Sequence, residues 1–159
     1  MPLPVHIRAF SEGDAPAVAL TFFRSVRESG LRHYSQAQVE AWAPALPDPA
    51  EVHQRATDGR VCLVAESDGQ VVGYGDLEAS GHIDHLYCRP EACGHGVAGE
   101  LLQHLTTIAE GRSLPCLFVE ASAGARGLFT RNGFSTIARR DFELRGVPIF
   151  NYAMEKVLP

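Results

Sequence analysis

Hydrophobic and polar positions follow a helical period first and a strand-like period later in the N-terminal half of the chain. The pattern predicts a strand at residues 5–10, helices that begin after Asp14, Ser35 and Asp48, and strands at residues 60–67 and 70–78. The residues that precede the helices have side chains that accept hydrogen bonds from a helix's first N–H groups. Asp68-Gly69 separates the two strands and is a strong signal for a two-residue hairpin turn.

The C-terminal half alternates strands with helices. The pattern predicts strands at residues 82–88, 114–122, 134–144 and 147–157, and helices that end near residues 110 and 131. The last two strands form a hairpin around Arg145-Gly146. Because hairpin-connected strands are mixed with strands that precede a helix, the sequence predicts an α/β fold with a partly antiparallel sheet.

A glycine-rich loop precedes the helix that ends near residue 110. It contains Gly94, Gly96, Ala98 and Gly99. Small residues at a helix start let an anion approach backbone N–H groups that the helix dipole makes positive. The loop lacks the Gly-Lys-Ser/Thr of a Walker motif and the spacing of a dinucleotide-binding fingerprint. Two interpretations of these residues follow, an anion site and a structural helix entry.

Composition restricts the class of protein. The 159 residues are 45% hydrophobic and 21% charged, so we expect one globular domain over residues 1–159. The net charge of −5 argues against a nucleic-acid partner, and polar residues interrupt every apolar run before it reaches the length of a membrane span. The N-terminus lacks the apolar segment of a signal peptide, and the four cysteines show no CxxC spacing, so we expect free thiols in the cytoplasm.

Two motifs and the order of elements carry a family resemblance. Residues 93–98 read Cys-Gly-His-Gly-Val-Ala, and residues 122–134 contain Ser-x-x-Ala followed by Phe and Gly-Phe. The chain resembles the GCN5-related N-acetyltransferases, the GNAT superfamily, whose motifs are Arg/Gln-x-x-Gly-x-Gly/Ala and Asn-x-x-Ala followed by Tyr and Gly-Phe. Cys93 therefore replaces Arg or Gln, Ser122 replaces Asn, and Phe129 replaces Tyr.

The resemblance implies a GNAT fold over residues 5–156, a mixed and mostly antiparallel sheet of about seven strands flanked by helices. It implies acetyl-CoA as cosubstrate, with its pyrophosphate on the N–H groups of the glycine loop and its pantetheine arm beside the fourth strand. The implied cofactor contacts are Leu86, Tyr87, Cys88, Cys93, Gly94, His95, Gly96, Val97, Ala98, Gly99, Ser122, Phe129 and Arg131. Two of these have simpler alternatives, since Ser122 can be a helix N-cap and Arg131 an exposed arginine.

Acetyl transfer to an amine needs a base that takes a proton from the ammonium. The family often has a carboxylate at the position of His82, so the resemblance implies His82 as the base, and histidine titrates near neutrality. Asp84 lies two residues further on and shares a strand face with His82, so it can orient or replace it. Glu78 and Glu120 are the further alternatives.

The departing thiolate needs an acid, which in the family is the tyrosine that Phe129 replaces. Phe129 cannot donate a proton. Tyr87, Tyr152, a water molecule and unassisted departure are the alternatives.

The implied acceptor is a primary amine of a small molecule or a peptide, acetylated by direct transfer in a ternary complex. The candidate acceptor residues are Phe23, Arg27, Tyr34, Trp42, Asn151 and Tyr152. The family also implies a homodimer as an alternative to a monomer. A different class of function stays open, a catalytically silent GNAT-fold domain that binds acyl-CoA for regulation.

Residues 82–95 are rich in histidine and cysteine. The potential zinc ligands are His82, His85, Cys88, Cys93 and His95. Their spacing fits no standard zinc pattern, and alternation along a strand places His82 and His85 on opposite faces. We therefore expect no metal.

Overall fold

A seven-stranded sheet organises the chain. In the computed structural model, which describes residues 2–159, the strand order is β1-β2-β3-β4-β5-β7-β6. The strands are β1 (His6–Ala9), β2 (Val61–Ser67), β3 (Gln70–Leu77), β4 (His82–Cys88), β5 (Cys116–Ala121), β6 (Ser135–Leu144) and β7 (Val147–Val157). Neighbouring strands are antiparallel except β4 and β5, which are parallel. The expected mixed, mostly antiparallel sheet of seven strands is confirmed.

Five α-helices accompany the sheet within residues 2–159. They are α1 (Ala15–Arg27), α2 (Gln36–Trp42), α3 (Pro49–Ala56), α4 (Val97–Gly111) and α5 (Arg126–Arg131). The predicted caps of α2 and α3 are confirmed, since Ser35 and Asp48 each accept a hydrogen bond from a backbone N–H two or three residues on. Asp14 precedes α1 as predicted, but its side chain binds Arg8 instead of capping the helix.

The helices pack on opposite faces of the sheet because strand side chains alternate. On one face Leu63 of β2 belongs to the core cluster that contains Leu101 and Leu105 of α4. On the other face Val64 packs in a cluster with Val18 of α1. Burial of both sheet faces explains why β2 and β3 are almost continuously apolar.

Strands β4 and β5 separate soon after they begin. Gly81, with φ of +97°, precedes β4 and lies against the backbone of Cys116, which leaves no room for a side chain. Within residues 2–159, pairing between the two strands is confined to His82 with Phe118 and Ile83 with Val119. The divergence opens the sheet toward the N-terminus of α4.

Among residues 2–159, the helices are all too short or too polar to cross a membrane.

Candidate active site

A cleft of about 570 Å³ opens where β4 and β5 diverge. Its walls come from β4, the glycine loop, the turn after β5, α5 and the segment between α1 and α2. The predicted cofactor contacts that line it are Leu86, Tyr87, Cys88, Cys93, Gly94, Gly96, Val97, Ala98, Gly99, Ser122 and Arg131. The last turn of α1 and the segment after it supply lining residues that the sequence did not single out, namely Ser25, Ser29, Gly30, Arg32 and His33.

The glycine loop has the backbone and the space that an anion requires. Gly94 and Gly96 have φ of +79° and +83°, in the left-handed region that favours glycine. No atom lies within 4 Å of where a Cβ would stand at either residue. Since α4 begins at Val97, its free N–H groups follow directly. These residues fit a bound pyrophosphate.

The β4 backbone offers hydrogen-bonding groups to the cleft. The N–H groups of His85 and Arg89 donate toward β3, to Asp76 Oδ1 and to the Val72 carbonyl, each at 2.8 Å. Because N–H directions alternate along a strand, those of Leu86 and Cys88 point toward the diverging β5. An extended ligand arm fits this edge.

Phe129 and His95 do not line the cleft. Phe129 is 2% exposed and packs edge-on against Phe134, with ring centroids 5.0 Å apart. The core-facing side of the short helix α5 carries it, so the expected contact of Phe129 with the cofactor has no support in the geometry. His95 is half-buried, and its carbonyl accepts a hydrogen bond from Leu3.

Ser122 combines its two predicted roles. Its Oγ accepts a hydrogen bond from the N–H of Ala125 at 3.2 Å, in the turn that leads into α5. It also lines the cleft. Arg131 is exposed at the end of α5 and lines the cleft as well, so its two interpretations are compatible.

A second cavity of about 110 Å³ adjoins the cleft. It is lined by Tyr34, Trp42, Tyr87, Glu120, Ser122, Phe142, Leu144, Ile149, Phe150 and Asn151. The two cavities have Tyr34, Trp42, Tyr87 and Ser122 in common. We call this second cavity the aromatic pocket.

Three predicted acceptor residues line the aromatic pocket and three do not. Tyr34, Trp42 and Asn151 line it. Arg27 instead stacks on Phe23 and donates to the carbonyl of Ala43, and Tyr152 lies beneath Arg126. The sequence did not single out Phe142 and Leu144 of β6 or Ile149 and Phe150 of β7 as lining residues.

His82 lies between two carboxylates. Its Nδ1 is 2.6 Å from Oε1 of Glu78, its Nε2 is 2.9 Å from Oε1 of Glu120, and its ring stacks on Phe118. Burial of the imidazole lowers the pKa of His82, but the hydrogen bonds to Glu78 and Glu120 outweigh it, so that the pKa is raised above its ordinary value. Of these three residues, only Glu120 lines the aromatic pocket.

Asp84 does not orient His82. Its Oδ2 lies 2.8 Å from a guanidinium nitrogen of Arg60, a residue that the sequence did not single out. The Arg60 side chain is 8% exposed and also pairs with Asp58 and Asp76. Burial opposes ionisation of Asp84, yet the charges of His85 and Arg60 outweigh it and lower its pKa. An ionised carboxylate held by arginine is a poor proton acceptor.

The strand alternation expected for His82 and His85 is interrupted. The β3–β4 register shifts between Gly75 and Leu77, and both histidines come near Asp84. Two groups of three ligand-type residues result, Asp76 with Asp84 and His85, and Glu78 with His82 and Asp84. Arg60 binds Asp76 and Asp84, which satisfies these carboxylates without a metal ion.

Comparison with known proteins identifies the family. A model of the acetyltransferase (GNAT) domain matches residues 30–156. The chain is 32% identical to the uncharacterized N-acetyltransferase YafP of Escherichia coli (strain K12) over 150 residues, and this alignment covers 94% of each protein.

Solved structures agree in fold. A GCN5-related N-acetyltransferase from Rhodopseudomonas palustris is 31% identical, with a TM-score of 0.90 and 99% of each chain covered. YncA from Salmonella typhimurium, whose structure contains its cofactor acetyl-CoA, is 20% identical, with a TM-score of 0.76 over 98% of this chain and 95% of YncA. The chain therefore belongs to the GCN5-related N-acetyltransferase (GNAT) family and is an acetyltransferase.

Proposed function

We propose that this enzyme transfers an acetyl group from acetyl-CoA directly to a primary amine, with both substrates bound at once. One observation carries the proposal: the cleft and the aromatic pocket meet at Tyr34, Trp42, Tyr87 and Ser122. Two ligands bound in these cavities would touch, as direct transfer requires.

The cleft residues suit acetyl-CoA. The glycine loop provides N–H groups for a pyrophosphate, and Leu86 and Cys88 of β4 provide donors that can polarise a carbonyl oxygen. When bound, acetyl-CoA supplies the acetyl group as an activated thioester. The presence of acetyl-CoA in the YncA structure supports this choice.

Glu120 accepts the proton of the acceptor ammonium. It is the carboxylate that lines the aromatic pocket, while His82 lies behind it at 2.9 Å. The hydrogen bonds of His82 hold Glu120 in place and connect it to Glu78. His82 is therefore a positioning residue in this proposal, and Glu120 takes the role that the sequence had favoured for His82.

Tyr87 donates a proton to the departing sulfur. It lines both cavities, whereas Tyr152 lines neither. Burial raises the pKa of Tyr87, so the hydroxyl is protonated at neutral pH but is a weaker acid than a thiol. It therefore gives its proton to sulfur as it regains one from the attacking nitrogen. In the balanced step the ammonium nitrogen loses two protons, the first to Glu120 before attack and the second to the Tyr87 oxygen as the amide bond forms. The carbon–sulfur bond breaks and the sulfur takes the original hydroxyl proton of Tyr87, so that Glu120 gains one proton overall and Tyr87 ends as it began.

The test measures release of the CoA thiol from acetyl-CoA with and without a panel of amines. We expect release that depends on the amine, with saturation by both substrates and intersecting double-reciprocal lines. Parallel lines would indicate an acetylated enzyme and contradict direct transfer. Tight CoA binding by calorimetry without turnover on any amine would instead favour the silent regulatory domain, to which the replacement of the usual tyrosine by Phe129 points.

A further inference from the structure

The aromatic pocket has a wall of rings. Tyr34 and Trp42 meet edge to face with centroids 5.6 Å apart, Trp42 and Tyr87 at 6.3 Å, and Tyr34 and Phe150 at 5.1 Å. Phe142 lines the same pocket. Aromatic faces attract apolar rings and cations.

Apart from the Tyr87 hydroxyl, which the proposed reaction uses, the wall presents mainly ring carbon. The hydroxyl of Tyr34 donates to the carbonyl of Phe150 and accepts the N–H of Ala123, each at 2.9 Å. Both of its hydrogen-bonding functions are therefore used inside the protein. A bound molecule meets an apolar surface here, which disfavours the polar backbone of a peptide.

Charge in the pocket is limited to one carboxylate. Among the residues that the structure describes, Glu120 is the one carboxylate in the lining, and the lining includes no lysine or arginine. The neighbouring cations are engaged: Arg139 lies over Phe150 and pairs with Asp141, and Arg140 donates to Asn151. One ammonium is matched, while the lining offers no second carboxylate for another ammonium and no lysine or arginine for a substrate carboxylate.

The size of the pocket agrees with this pattern. Cavities of roughly 150 Å³ hold a benzene ring. The aromatic pocket has about 110 Å³ and shares four lining residues with the larger cleft. A single ring or a short alkyl chain therefore fits, with its amine at Glu120.

We propose that the acceptor is a small primary monoamine with one aromatic ring or a short apolar chain, selected by the aromatic wall and by the single carboxylate Glu120. This inference rests on the proposed acetyltransferase function and names its substrate class. Amino acids, polyamines and peptide N-termini are disfavoured by the same features.

The first experiment compares four acceptors by release of the CoA thiol: 2-phenylethylamine, phenylalanine, spermidine and an alanyl peptide. We expect kcat/KM for 2-phenylethylamine to exceed each of the others by about tenfold or more, since each lacks one matching feature. Equal or better turnover of another acceptor would overturn the substrate class and leave the acetyltransferase proposal intact. Failure of all four to release thiol would overturn both.

The second experiment tests the wall. Phe142→Leu keeps apolar volume but removes a ring, so kcat/KM for 2-phenylethylamine is expected to fall about tenfold, and that for isobutylamine by no more than about threefold. The matched control is Phe10→Leu, whose ring packs on His53 outside both cavities and whose loss is expected to change neither value. An equal effect of Phe142→Leu on both amines, or no effect, would contradict an aromatic recognition surface.

Discussion

The Nε2 atom of His82 lies 2.9 Å from Oε1 of Glu120, a contact between two potential acceptors that requires a shared proton. The contact of His82 Nδ1 with Glu78 requires a second one. The three side chains therefore form one hydrogen-bonded chain. In the proposed reaction this chain can take a proton from the acceptor once His82 has lost one of its two ring protons.

Glu120→Gln is expected to lower kcat/KM for the acceptor about 100-fold, because the amide keeps a similar shape but cannot take a proton. The measurement is steady-state thiol release, with CoA affinity by calorimetry expected to be unchanged. Glu110→Gln, at an exposed position on α4, is the control for a lost surface charge. Full activity in Glu120→Gln would remove Glu120 from the proton path.

Glu78→Gln is expected to move the acidic limb of the pH profile of kcat/KM to lower pH. Glu78 raises the pKa of His82, so the wild-type limb should lie above the ordinary histidine value of about 6.5. Removing this negative partner lowers the pKa, and the proton-accepting form then exists at lower pH. A limb at the same pH in both proteins would show that the titration of His82 does not govern activity.

Tyr87→Phe is expected to lower kcat about tenfold, below the usual range of general-acid effects, because a thiol with a pKa of about 8.5 leaves readily without help. Tyr152→Phe is the matched control and should keep full activity, since Tyr152 lines neither cavity. The readout is kcat at saturating acetyl-CoA. A larger loss in Tyr152→Phe than in Tyr87→Phe would reverse the assignment.

Phe129→Tyr restores the residue usual in the family but is expected to destabilise the protein without raising kcat. Phe129 is 2% exposed, and a hydroxyl buried there without a partner costs about 2 kcal/mol of unfolding free energy. Urea denaturation measures the loss, and Phe10→Tyr at a partly exposed ring is the comparison. Unchanged stability with a higher kcat would mean that a tyrosine hydroxyl reaches the cleft from this position.

Gly96→Val is expected to weaken CoA binding about 100-fold. The side chain would enter the open space beside the loop, and a β-branched residue resists φ of +83°. Gly69→Val, at φ of +77° in the β2–β3 turn and equally open, separates backbone strain from the loss of the anion site. Calorimetric titration gives affinity, and circular dichroism checks folding. Near-normal affinity in folded Gly96→Val would return the loop to a purely structural helix entry.

The elements were predictable where local chemistry fixes them. Ser35 and Asp48 predict the starts of their helices through side-chain caps, and Asp68-Gly69 predicts its hairpin, because each interaction spans only a few residues. The glycine loop was equally predictable, since its backbone angles depend on the glycines within the loop.

The catalytic arrangement was less predictable because it depends on contacts between distant residues. Glu120 meets His82 only because β5 pairs in parallel with the start of β4. Asp84 was expected to assist His82, but the register shifts in β3 and Asp84 pairs with the buried Arg60 instead. Neither the shift nor the pairing of Arg60 has a signal within a short window of sequence.

The early end of β4–β5 pairing affects the stability of the protein when no ligand is bound. Past Ile83 and Val119 two strands present free hydrogen-bonding edges to solvent inside a cleft. Such edges are templates for misplaced strands from other chains. A ligand arm that lies between them acts as an eighth strand, and at 100 times its dissociation constant it adds about 2.7 kcal/mol to stability. The supply of acyl-CoA would then set the resistance of this enzyme to aggregation and the rate of hydrogen exchange of the Leu86 and Cys88 amides, quite apart from turnover.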